Sequence, residues 1–171
     1  ELDLITPAMA VGNDLIAIPS FETPDFSKLF SEEKNLLHKL KKTFLMIAGK
    51  AVETFGMELE QQQQIIMAAS NIMIEIYMAE STILKVEKLV NKTSEVSCKG
   101  QIAMARLNLY NAVENINTNG KEAIISFTVG NEQKMLLIGL KRFTKYTNYP
   151  NIVALRKTIA QIIINENEYC F

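Results

Sequence analysis

The sequence predicts an all-α protein, an antiparallel helical bundle of about five to six helices, two of them long. Three observations carry that expectation. Ile65, Ala69, Ile72, Ile76, Ala79, Ile83, Val86 and Val90 recur at alternating four- and three-residue steps, which puts them on one face of one helix. Proline occurs only at 7, 19, 24 and 150, and the long gap after Pro24 suits a helical core, because proline breaks helix interiors. Alternation of period two is nearly absent, so no sheet is expected.

Residues 1–18 read as one amphipathic helix, started or interrupted by Pro7. Residues 19–30 mix Pro, Ser, Thr and Asp and read as a linker. The bundle then occupies 31–171. Ser31 is the expected N-cap of its first helix, with Glu32 and Glu33 complementing the helix dipole. That helix carries Leu37, Leu40, Phe44, Ile47 and Ala51 and ends near Gly56, which can take a left-handed terminating conformation. The next helix is expected from about Glu58 to Asn91, roughly 50 Å at about 1.5 Å per residue. Ile66, Met73, Tyr77 and Leu84 add a second apolar row to it, so it is expected to meet neighbours on more than one side.

Residues 91–99 are polar and read as a loop. Ile102, Ala105, Leu109, Val113, Ile116, Gly120, Ala123 and Phe127 hold one phase across Asn117-Thr-Asn-Gly120. One continuous helix with a weak point is the expectation there, a break at 117–120 the alternative. Asn131 is expected to cap a short helix through about Tyr146. Pro150 fits the first turn of a last helix up to about Asn165.

Composition limits function. A chain of 171 residues is one domain, or one domain with a tail, and can bury roughly 70% of its unfolded surface. A net charge of -1 argues against a nucleic-acid binder, which would be strongly basic. Cys98 and Cys170 allow at most one disulfide, and a reducing, cytoplasmic setting is expected. No run of 18 apolar residues is present to span a membrane, and no secretory leader is visible. The chain opens at Glu1 with Leu2, Leu4 and Ile5 already apolar, and is expected to be a piece of a longer polypeptide.

Candidate chemistry is sparse, and no catalytic, cofactor-binding or metal-binding residue is assigned. Glu75 and Glu80 are five residues apart and diverge by about 140° on a helix, so they do not converge on one substrate atom. Ion pairing or a helix–helix boundary is the expected use of both. A di-iron bundle needs two Glu-x-x-His motifs, yet His38 is the sole histidine and Asn35 stands three residues before it. Cys98 beside Lys99 and Cys170 lack a nearby histidine and are expected to be incidental thiols. The serines show no nucleophile elbow and the glycines no phosphate cradle. Gln61-Gln-Gln-Gln64 is expected to form the first exposed turns of its helix, and the eight methionines to fill the core. Lys134, Lys141, Arg142, Lys145, Arg156 and Lys157 fall in an acid-free stretch from 133 to 165, interleaved with Phe143, Tyr146 and Tyr149. They form a candidate patch for anionic lipid, for an acidic protein face or for nucleotide phosphates, unless they are simply a solvated basic face.

Several segments, in order along the chain, resemble the C-terminal part of bacterial acyl-CoA dehydrogenases that carry an extra helical domain after the catalytic core. They are Glu1-Leu-Asp-Leu4 with Pro7-Ala8, Met46-Ile-Ala-Gly-Lys-Ala-Val52, Ile72–Val90, Gly139-Leu-Lys-Arg-Phe-Thr-Lys-Tyr146 and Tyr169-Cys-Phe171. The resemblance implies a non-catalytic domain of a FAD-dependent enzyme of fatty acid β-oxidation. The flavin, the catalytic glutamate and the acyl-CoA pocket would lie upstream of Glu1, and residues 1–30 would lead out of that core. The implied partners are that catalytic core, a second protomer in a homodimer, a membrane surface contacted from the cytoplasmic side, and an electron-transfer flavoprotein for the parent enzyme. A free-standing helical adaptor, a peripheral lipid-binding module and a helical enzyme in its own right are the alternatives.

Overall fold

A computed structural model describes Thr6, Ala10, Val11 and residues 28–168. The helix read over 1–18 and the linker read over 19–30 fall almost wholly outside those residues, as do Tyr169-Cys-Phe171. The described elements are α1 (Ser31–Phe55), a 3-10 segment (Gly56–Gln61), α2 (Gln63–Lys92), α3 (Lys99–Phe127), α4 (Gly130–Phe143) and α5 (Ile152–Glu166). The fold is an all-α bundle, with no strand among the described residues.

Helix α3 is the hub and packs on all four other helices. Its predicted stripe is the core: Leu109 and Ile116 are fully enclosed, and Ile102, Ala105, Val113, Gly120 and Ala123 are buried. Helix α2 runs antiparallel to it in a register that three polar contacts fix. Asn71 Nδ2 donates to Asn119 Oδ1 at 3.2 Å, Asn115 Nδ2 donates to Glu75 Oε1 at 2.7 Å, and Asn108 Nδ2 donates to Thr82 Oγ1 at 3.2 Å. Helix α1 lies on the other flank of α2, tied by Lys34 to Glu87 at 2.5 Å and by Lys41 to Glu80 at 2.7 Å. Between these rims Ile72, Ala79 and Ile83 of α2 are fully buried with Leu40 and Ile47 of α1. Each of the isoleucine and leucine side chains contributes about 1.5–3 kcal/mol by leaving water.

Several element ends differ from the sequence expectation. Ser31 does not cap α1; it is the first helical residue, and Phe30 precedes it with φ 62. An L side chain rarely takes that conformation. Phe30 holds it because its ring is 1% exposed and lies under the Arg106 guanidinium, 5.9 Å from the ring centroid. Gly56 does end α1, with φ 51. The segment after it winds as a 3-10 helix closed by Gln62 N donating to Leu59 O at 2.9 Å, so α2 starts at Gln63 rather than Glu58. Helix α3 is continuous through 117–120, where Thr118 and Asn119 donate their side chains back to the carbonyls of Glu114 and Asn115.

Asn131 is not a cap. Helix α4 begins at Gly130, its first turn held by Gln133 donating to Thr128 O, and it ends at Phe143 rather than Tyr146. Pro150 sits outside α5. Asn151 is the true cap, its side chain accepting from Ala154 N at 3.0 Å. The second row of α2 is also different from expectation: Ile66, Met73, Tyr77 and Leu84 are 38–68% exposed, so α2 is covered by α1 and α3 and its outer side is bare.

Candidate docking surfaces

The carboxylates inside the α2 stripe serve the bundle. Glu80 pairs with Lys41 and Glu75 accepts from Asn115, so each links two helices, as expected for a helix–helix boundary. His38 is exposed on α1 beside Lys34 and Lys41, in a shallow groove that Glu80 also lines. Cys98 stands at the end of the loop in which it was expected. It is 3% exposed, directly precedes α3, and its Sγ lies 3.1 Å from Thr93 Oγ1. Cys170 lies outside the described residues. Among the described residues no three His, Cys, Asp or Glu side chains converge in a way that could hold a metal.

Two further cavities have polar walls. A groove of about 660 Å3 between the start of α2 and the end of α3 is lined by Gln61–Gln64, Asn71, Asn119 and Glu122. It offers amides and a carboxylate but no cation for a pyrophosphate and no aromatic plate for a flavin ring, so FAD does not fit it. A smaller cavity of about 290 Å3 lies where the 144–151 connection crosses the start of α1. Its charged groups are already engaged: Glu33 with Arg106 at 2.7 Å, and Glu32 accepting from Asn148 N at 2.5 Å and Nδ2 at 3.2 Å. Tyr146 closes it, 5% exposed, its hydroxyl without a hydrogen-bond partner in the protein. Burial, with the carboxylates of Glu33, Glu114 and Glu32 nearby, holds this phenol well above its usual range.

The six basic residues are divided between two helices and the connection that joins them. Lys134 and Lys141 are exposed on α4, Lys145 is exposed just after it, and Arg142 is half-buried and engaged in interactions of its own. Arg156 and Lys157 are exposed on α5. Helix α4 packs on α1 and α3, whereas α5 packs chiefly on α3, so the linear stretch maps to two surfaces joined by 144–151.

The larger surface feature is apolar, and only part of it, Tyr77 and the methionines, was expected from the sequence to be covered. Met67, Met73, Ile74, Tyr77 and Met78 on α2 are each more than half exposed. Helix α5 has no fully buried residue, and Val153 and Ile164 are 61% and 70% exposed. The signal was present in the sequence, since a stripe wider than two neighbours can cover must leave a bare side. No helix among the described residues is long and apolar enough to cross a membrane.

These features match a known kind of domain. The chain is similar to a probable acyl-CoA dehydrogenase of Bacillus subtilis, 24% identical over 169 residues, 99% of this chain and 28% of that protein. It also matches the crystal structure of an acyl-CoA dehydrogenase complexed with FAD from Bacillus anthracis, with TM-score 0.91 and 25% identity, over 99% of this chain and 28% of that one. The chain thus spans little more than a quarter of the length of these relatives. Residues 39–142, which run from the middle of α1 to the end of α4, match the model of the acyl-CoA dehydrogenase C-terminal domain, and the chain belongs to that family.

Proposed function

We propose that this chain is the non-catalytic C-terminal domain of a longer FAD-dependent acyl-CoA dehydrogenase. In this reading it packs on the catalytic core and supports a homodimer, and residues 1–30 connect it to that core. The observation that carries the reading is the match of nearly the whole chain to little more than a quarter of a FAD-complexed dehydrogenase. The core would oxidise an acyl-CoA thioester on FAD and pass electrons to an electron-transfer flavoprotein. This domain's own residues bind, brace and cover.

Lys134, Lys141, Arg142, Lys145, Arg156 and Lys157 are the two basic surfaces of that role. They meet an acidic face of the core, and from the cytoplasmic side an anionic membrane surface, where each exposed cation adds about 1 kcal/mol. The test is a parent enzyme truncated before Glu1. We expect it to lose its oligomeric state by light scattering while keeping flavin absorbance. Unchanged assembly and unchanged turnover would reject the role.

A further inference from the structure

The seam between α1 and α2 changes character along its length. The Lys34–Glu87 and Lys41–Glu80 pairs close one end of it. Toward the other end it opens into an apolar groove of about 170 Å3, walled by Phe44, Ala48, Val52, Ile66, Ala69 and Met73. Ser70 is the one polar residue that lines it. Between Gln63 and Met78 the only charged residue of α2 is Glu75, and that carboxylate is turned to Asn115. From the groove wall at Ile66 and Met73 the apolar surface continues around the outer side of α2 through Met67, Ile74, Tyr77 and Met78, and the six side chains together present on the order of 600 Å2, at the top of what a free monomer leaves in water and approaching the roughly 800 Å2 a side of a stable interface.

We infer that an amphipathic helix of the dehydrogenase core lies along this groove, its apolar row seated between Phe44 and Met73. The inference rests on the function proposed above. An uncharged wall gives an anionic membrane or a nucleic acid nothing to hold, and it rewards an apolar counterpart. Ala48 and Ala69 are small enough to let a ridge of side chains approach the seam, as helix packing requires. From Ile66 to Met73 is seven residues, about 10 Å of helix, which a row of apolar residues at i, i+3 or i+4 and i+7 covers. The matched relatives carry nearly three-quarters of their length outside this domain, which is ample chain to supply the helix.

The test is thiol labelling of Met73→Cys in the full-length enzyme and in this 171-residue chain, followed by mass spectrometry of the labelled peptide. Val96→Cys, in the exposed turn before α3, is the reference site. Cysteine 73 should react at least tenfold more slowly in the full-length enzyme, with the reference unchanged. Should Met73→Cys fail to fold, Ile66→Cys reports the same wall. Equal rates in both proteins would overturn the inference. So would protection that fades on dilution, because a second copy would then be the occupant. Flavin absorbance of the same preparation separates the two levels: flavin with an unprotected groove rejects this assignment alone, and a full-length chain without flavin rejects the proposed function.

Discussion

Gly120 of α3 lies against Leu140 of α4: a Cβ built on Gly120 would stand 2.9 Å from Leu140 Cδ1 and 3.1 Å from Ile47 Cδ1. Three helices meet at a point where any side chain on α3 would hold them apart. The helix tolerates glycine there because packing repays its weak propensity, which costs about 1 kcal/mol against alanine. Gly120→Ala is expected to lose about 1 kcal/mol net, since both crowding atoms end flexible but enclosed side chains. Gly120→Val is expected to lose about 2–4 kcal/mol. Urea denaturation measures both. A stabilised alanine variant would show that Leu140 and Ile47 shift freely.

Tyr146 carries a hydroxyl that the protein leaves without a partner, and a buried unpaired hydroxyl costs about 1–3 kcal/mol. Tyr146→Phe should therefore gain about 1 kcal/mol at pH 7. Its pH dependence has a definite sign. The folded phenol is held above its ordinary value of 10.0, so folding favours the protonated form. That stability is complete below pH 10 and is lost as pH rises beyond it. The phenylalanine variant should lack this part of the alkaline loss when denaturation is followed at pH 8 and above pH 10. A variant that is less stable at pH 7 would contradict the orphan hydroxyl.

Lys50 of α1 is held by Glu132 of α4 and by Glu53 at 3.3 Å. The Glu132 hydrogen bond is the main reason its pKa stands above 10.5, and burial opposes the shift. A raised lysine stabilises the fold fully below pH 10.5 and loses that contribution as pH climbs through the folded value. Lys50→Met should cost about 1 kcal/mol at neutral pH, with the difference from the native chain shrinking above pH 10.5. A difference constant with pH would assign the loss to packing of the lysine stem instead.

The bundle was legible in the sequence because its core helices obey one period. The Ile65–Val90 and Ile102–Phe127 stripes are the buried faces of α2 and α3, with Ala69, Val90 and Phe127 only partly covered. Helix ends were harder to read. Phe30 starts α1 because burial under Arg106 outweighs the strain of a left-handed residue, and no local pattern at Ser31 could show that. The outer row of α2 was misread because periodicity says which residues are apolar but not how many neighbours arrive. The division of the basic residues between α4 and α5 depends on where 144–151 sends the chain. That path is fixed by Tyr146 and by Asn148 bonded to Glu32, a contact between residues 116 apart in the sequence.

The most direct measurement is an acyl-CoA dehydrogenation assay of the purified 171-residue chain with added FAD and an artificial electron acceptor, paired with flavin absorbance after gel filtration. This chain is expected to retain no flavin and to oxidise no thioester, and the full-length protein is expected to bind flavin and oxidise the thioester. Flavin that stays bound to this chain, with measurable acyl-CoA oxidation, would contradict the central claim.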